Sequence, residues 1–170
     1  RGGGPVTSSS KSTSAFAAMR AGDKAALHEL LRAHAGAIAH VARTIGDDGD
    51  DGDDALVEVA RDLWAESAVL WAEPDDVAAT VRTLAAATCA RRALLALERH
   101  VGRLRVDVRI AARAFAGFSD AQTQRDLDPR VHAIGDAVAR ALTSATTTTT
   151  TTDAAQRFEA LWPAIEASLR

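Results

Sequence analysis

The chain has 170 residues, enough for one domain or for a compact domain with a smaller one appended, and its net charge of −3 argues neither for nor against a nucleic-acid partner. The hydrophobic fraction is 47%, much of it alanine, with 4% aromatic residues and no tyrosine, which excludes a thick aromatic core and favours closely approached helices. A single cysteine, Cys89, excludes an internal disulfide and a cysteine-rich zinc site; within a helical alanine run it reads as a small buried side chain.

Taken in order, "RGGGPVTSSSKSTS" at 1–14 is rich in glycine and serine and is expected to be a disordered tail. Residues 15–20 form a short helical turn, broken by "AGD" at 21–23, where Asp23 is placed to cap the next helix. Leu27, Leu30, Leu31, His34, Ile38, Val41 and Ile45 recur at spacings of three and four, which predicts an amphipathic helix over 24–45. "GDDGDDGDD" at 46–54 ends it. A further helix starts at Asp53 or Asp54, with Leu56, Val59, Leu63 and then Val69 and Leu70 as its inward set. Glu58, Asp62 and Glu66 form an acidic stripe at i, i+4 and i+8, expected to be exposed.

Pro74, Asp75 and Asp76 mark another start. Val77, Val81, Leu84, Leu94, Leu97, Val101, Leu104 and Val108 keep helical spacing from 76 to 117, with a break expected at Gly102. Residues 117–129 read as a loop, Val131 to Leu142 as a helix, and the threonines at 146–152 as an extended linker. Asp153 then caps a last short helix carrying Phe158, Leu161, Trp162, Ile165 and Leu169. No alternating strand pattern occurs. The expected fold is all-α, a helical bundle over 15–117 with additional helices in 118–170.

The charges are segregated. Residues 47–76 carry twelve acidic side chains against Arg61, and residues 91–113 carry seven arginines against Glu98 and Asp107. Such a chain can meet two partners of opposite character. The acidic run invites a calcium reading. Set on an EF-hand loop, Asp47, Asp51, Gly52 and Glu58 take positions that suit a hard cation. Gly49 supplies no side-chain oxygen, however, Asp54 stands where an apolar residue belongs, and no second loop exists. A solvated acidic turn is the stronger reading, and no metal or other cofactor is expected.

Together the first helices resemble a known family. "AFAAMRAGDKAALHELLRAH" is similar to the opening of region two in the extracytoplasmic-function sigma factors, the match falling on Gly22, Asp23, Ala26, Leu27, Leu30 and His34. After a variable loop, "GDDALVEVARDLW" matches that family's next helix at Asp54, Glu58, Val59, Leu63 and Trp64. "AEPDDVAATVRTLAAATCARRALLALER" sits where the family's third helix ends in a basic tract. The resemblance covers about residues 15–100. It implies a bacterial transcription initiation factor, with the clamp helices of the RNA polymerase core's largest subunit and promoter DNA as partners, and an anti-sigma protein as a regulator. It further implies that Asp54, Glu58 and Trp64 belong to or brace the polymerase-binding surface; the acidic stripe adds Asp62, and carboxylates suit an arginine-rich partner. Trp64 also reads as a core residue. Val57 stands where the family has glutamine, and "AAATCARR" lacks the asparagine and aspartate of its DNA-facing helix. Nothing after residue 100 reads as a helix-turn-helix. Weak or altered promoter recognition is expected.

Arg91, Arg92, Arg99 and Arg103 are the candidate DNA-binding residues. Arg92, Arg99 and Arg103 step by seven and four along one helical face, which suits nonspecific phosphate contact. The alternative is a solvated face with local ion pairs. His28, His34, His40, His100 and His132 form no metal pair, and no phosphate loop or nucleophile elbow is present, so no enzyme is expected. With no run of about 18 apolar residues and no secretory signal, a cytoplasmic location is expected, with no membrane partner. The competing reading is a helical interaction module, a degenerate sigma-like regulator that does not read DNA.

Overall fold

Three aspartates start three of the helices, by the same chemistry. In the computed structural model, which describes residues 15–46, 52–69, 74–104, 107–117, 128–144 and 152–169, a short helix α1 at 15–20 ends at Gly22, whose φ of +93° is closed to most side chains. Asp23 follows, its carboxylate accepting the Ala25 N–H at 3.0 Å, and α2 runs Lys24–Ile45. Asp76 accepts from Ala79 N–H at 3.0 Å and opens α4, Val77–Val101. Asp107 accepts from Ile110 N–H at 3.1 Å and opens α5, Val108–Phe115. Each cap satisfies an amide that helix geometry orphans. Between these, α3 spans Asp53–Val69; α6 and α7 complete the chain at Pro129–Ser144 and Thr152–Ser168. All described secondary structure is α-helical, as expected.

Two helices organise the bundle: α2 packs on α3, α4, α6 and α7, while α4 packs on α2, α3, α5 and α6. The predicted apolar face of α2 is the buried face, with Leu27, Leu31, Ile38 and Val41 at 1% exposure or less; His34 is only partly covered. The middle of α4 is enclosed on every side, residues 84–90 being buried without interruption. Alanine makes this possible. Ala85, Ala86, Ala87 and Ala90 carry so little volume that neighbouring helices close around the α4 backbone. Cys89 lies in this stretch and is buried, as expected.

The α7 helix is anchored to the first half of α2. Phe158 is fully buried, and the His28 ring lies 5.3 Å from it and 4.8 Å from Trp162, edge-on to the latter. Glu159 reaches His28 Nε2 at 3.1 Å and Arg32 Nε at 3.5 Å. At the far end of α2, His40 Nε2 lies 2.8 Å from Ser144 Oγ. Because Ser144 donates its hydroxyl to the Arg140 carbonyl, its oxygen is left to accept, which puts the proton on His40 Nε2.

Several expectations need correction. Val69, expected inward, is 63% exposed, because Val59, Leu63 and Ser67 form the buried row and Val69, two residues past Ser67, falls on the opposite face of α3. The last helix has 17 residues and is not short, and it starts at Thr152, so Asp153 sits in the first turn rather than at the cap. Pro129 is itself the first residue of α6, a position where its missing N–H costs nothing. The break at Gly102 is as expected: φ is +85° there, α4 ends at Val101, and a separate α5 follows. The 1–14 tail, most of the 117–129 loop and the threonines at 146–151 lie outside the described residues.

Candidate functional site

The acidic stripe of α3 lies against the start of the basic tract on α4. The register is antiparallel, with Glu58 opposite Arg92 and, one turn later, Asp62 opposite Thr88. Asp62 Oδ2 accepts the Thr88 hydroxyl at 2.6 Å and Arg91 Nη2 at 2.9 Å. Glu58 Oε1 lies 3.3 Å from Arg92 Nη1. Its other oxygen, Oε2, is buried with no hydrogen-bond partner and sits 3.7 Å from Arg91 Nη2, a distance that leaves charge attraction without a hydrogen bond. The stripe was expected to be exposed. Instead Glu58, Asp62, Arg91 and Arg92 retain only 26–36% of their side-chain exposure. Spacing places three carboxylates on one face of α3, but only packing decides what that face meets.

The other predicted positions fall apart from this cluster. Asp54 is exposed at the head of α3, a turn before Glu58. Trp64 is half-buried and packs against the core, its carbonyl accepting the Ser67 hydroxyl at 2.6 Å. Arg99 is exposed near the end of α4. Arg103 is exposed too, but it lies beyond Gly102 and outside the helix, so the expected continuous row of Arg92, Arg99 and Arg103 is cut where the backbone turns. The predicted polymerase-binding and DNA-binding sets therefore meet at Glu58, Asp62, Arg91 and Arg92, and separate at Asp54, Trp64, Arg99 and Arg103.

Thr88 was not among the candidates, although it is 1% exposed and holds the Asp62 carboxylate. Its signal was available: it is the one hydroxyl in "AAATCA", and a polar side chain inside an enclosed helix needs a partner. Thr88 is also placed to share its hydroxyl with the Leu84 carbonyl at 3.0 Å. Two hollows flank the Arg91 side chain. A groove of about 280 Å³ lies between α3, α4 and α5, lined in part by Asp62, Glu66, Arg109 and Arg113. A wider, open cleft of about 740 Å³ lies between α4 and α5, with Arg103 and Arg109 on its walls.

The calcium reading gains no support. Asp47 and Asp51 lie outside the described residues, and Glu58, the last position of that loop, is turned toward two arginines. Among the described residues no group of histidine, cysteine or carboxylate side chains is arranged to hold a metal ion. Burial lowers the pKa of His34; Arg82 pushes the same way, and Asp76 opposes them. No helix of the described residues is long and apolar enough to cross a membrane. No family model, curated protein or solved structure matches the chain.

Proposed function

We propose that the protein is a sigma-like transcription initiation factor that docks on bacterial RNA polymerase through α3 and touches promoter DNA weakly. What supports the reading is agreement between the order of the motifs and the order of the helices. The segment similar to the opening of region two falls on α1, the Gly22–Asp23 turn and α2; the next falls on α3, and the third on α4. Docking on the polymerase clamp helices uses Asp54, exposed at the head of α3, with Glu58 and Asp62 at the rim and Trp64 bracing the helix from behind. Phosphate contact falls to Arg99 and Arg103, since Arg91 and Arg92 are committed to Asp62 and Glu58. The protein acts by binding rather than catalysis, in the cytoplasm, and an anti-sigma protein is a fitting regulator.

One observation favours a second reading, a helical interaction module that does not read DNA. Four of the eight candidate residues neutralise one another across the α3–α4 seam. The deciding experiment is capture of RNA polymerase by the purified chain, followed by promoter run-off transcription. Capture with transcription is the expected result. Capture alone moves the second reading ahead, and no capture removes the sigma-like reading.

A further inference from the structure

The open cleft between α4 and α5 carries two arginines that its own acids leave unpaired among the described residues. Two acids line it, and among the described residues neither forms an ion pair with Arg103 or Arg109. Glu98 Oε2 accepts the Leu104 backbone N–H at 3.3 Å, and Asp107 caps α5 through the Ile110 N–H at 3.1 Å. Of the three arginines, Arg91 is held by Asp62. Arg103 and Arg109 have no hydrogen-bonding or ion-pair partner among the described residues, and both are exposed. Between them the cleft has an apolar side, where Leu95 is 43% exposed beside Val108. A ligand with both characters needs cationic and apolar side chains side by side, as the cleft has them.

We propose that this cleft is a phosphate-binding site, with Arg103 and Arg109 as the two guanidinium forks and Leu95 and Val108 as the platform for the apolar part of a nucleotide. Guanidinium groups match phosphate oxygens in pairs, and they stay charged at every physiological pH. A volume of about 740 Å³ accommodates a nucleotide, and the open side leaves a path for a longer chain. The same phosphate chemistry is offered by a free nucleotide and by a polynucleotide backbone. The site rests on the cleft geometry and does not require the polymerase-docking reading.

The test measures binding of the full chain to ATP by calorimetry, and to a labelled duplex oligonucleotide by fluorescence anisotropy at low salt. The same measurements are made on Arg103→Gln/Arg109→Gln, and on Arg140→Gln/Arg157→Gln, which removes equal charge at exposed positions outside the cleft. The expected result is a loss of about tenfold or more for the cleft variant on at least one probe, and less than about threefold for the control. A loss confined to ATP identifies a free nucleotide as the occupant; a loss confined to DNA identifies the polynucleotide. Equal losses in the two variants overturn the proposal, because general charge then explains binding, as does the absence of binding to either probe. Polymerase capture by the cleft variant separates the two proposals: it stays unchanged if docking uses α3, whatever happens to phosphate.

Discussion

The α3–α4 seam and the α4–α5 cleft are built from the same kinds of side chain and reach opposite ends. At the seam, Arg91 and Arg92 meet Asp62 and Glu58 across two packed helices, and Thr88 adds a hydroxyl from below. In the cleft, Arg103 and Arg109 make no ion pair with Glu98 or Asp107 among the described residues, and each of those acids accepts a backbone amide. An arginine beside an acid is therefore no measure of neutralisation. What counts is where the carboxylate is aimed: Asp107 turns an oxygen to the Ile110 N–H and Glu98 to the Leu104 N–H, while each keeps its charge and its other lone pairs. The seam pairs its arginines across two helices, and the cleft leaves Arg103 and Arg109 without an ion pair among the described residues.

The largest effect expected from breaking this contrast comes at the seam. Glu58→Arg with Asp62→Arg would set four cations together and leave Thr88 without its side-chain acceptor, so the domain should lose about 3 kcal/mol or more of stability, read by thermal or urea denaturation. Adding Arg91→Asp and Arg92→Glu should restore a good part of that loss. If the first pair melts like wild type, the seam is a solvated face. Polymerase capture therefore needs a gentler probe, and Asp54→Arg, on an exposed residue, should weaken it without lowering the melting temperature.

Next in size is Gly135 on α6. A Cβ there would lie 2.8 Å from the Phe115 ring, at the end of the helix that carries Arg109. Gly135→Ala gains helix propensity but forces that ring aside, for a net loss of about 1 kcal/mol. Because α5 shifts with Phe115, the variant should also weaken phosphate binding in the cleft. Gly135→Ala combined with Phe115→Leu should recover stability, and a stabilised single variant would mean that the ring yields freely. Removing one hydroxyl is of comparable size: Thr88→Val loses its hydrogen bond to Asp62, about 1 kcal/mol by denaturation, and leaves cleft binding unchanged.

The smallest effect is a pH dependence. His34 has a lowered pKa, so the folded state binds its proton less readily than the unfolded chain. Its contribution is fully favourable above the unfolded value of about 6.5 and is lost as pH falls from there through the lowered folded value. Stability measured across that interval should decline, and His34→Gln should flatten the decline. A slope that His34→Gln leaves untouched assigns the effect elsewhere.

Much of the fold was legible locally. Asp23 and Asp76 cap the helices they were expected to start, α2 has its predicted bounds, and the α4 break falls at Gly102. Capping, helical periodicity and a glycine at positive φ depend on near neighbours in the chain, so one sequence contains them. The candidate residues were legible only as types on faces: carboxylates on α3, arginines on α4. Only the tertiary structure decided that Glu58 and Asp62 face Arg91 and Arg92, that Thr88 supports them, and that Arg103 and Arg109 line one cleft. Partners 26 to 29 residues apart, as Asp62 is from Thr88 and Arg91, meet only when α3 and α4 adopt one register out of many. That register is set by the fit of Leu63, Val59 and the α4 alanines in the core rather than by the charges, because burying apolar surface outweighs a partly exposed ion pair.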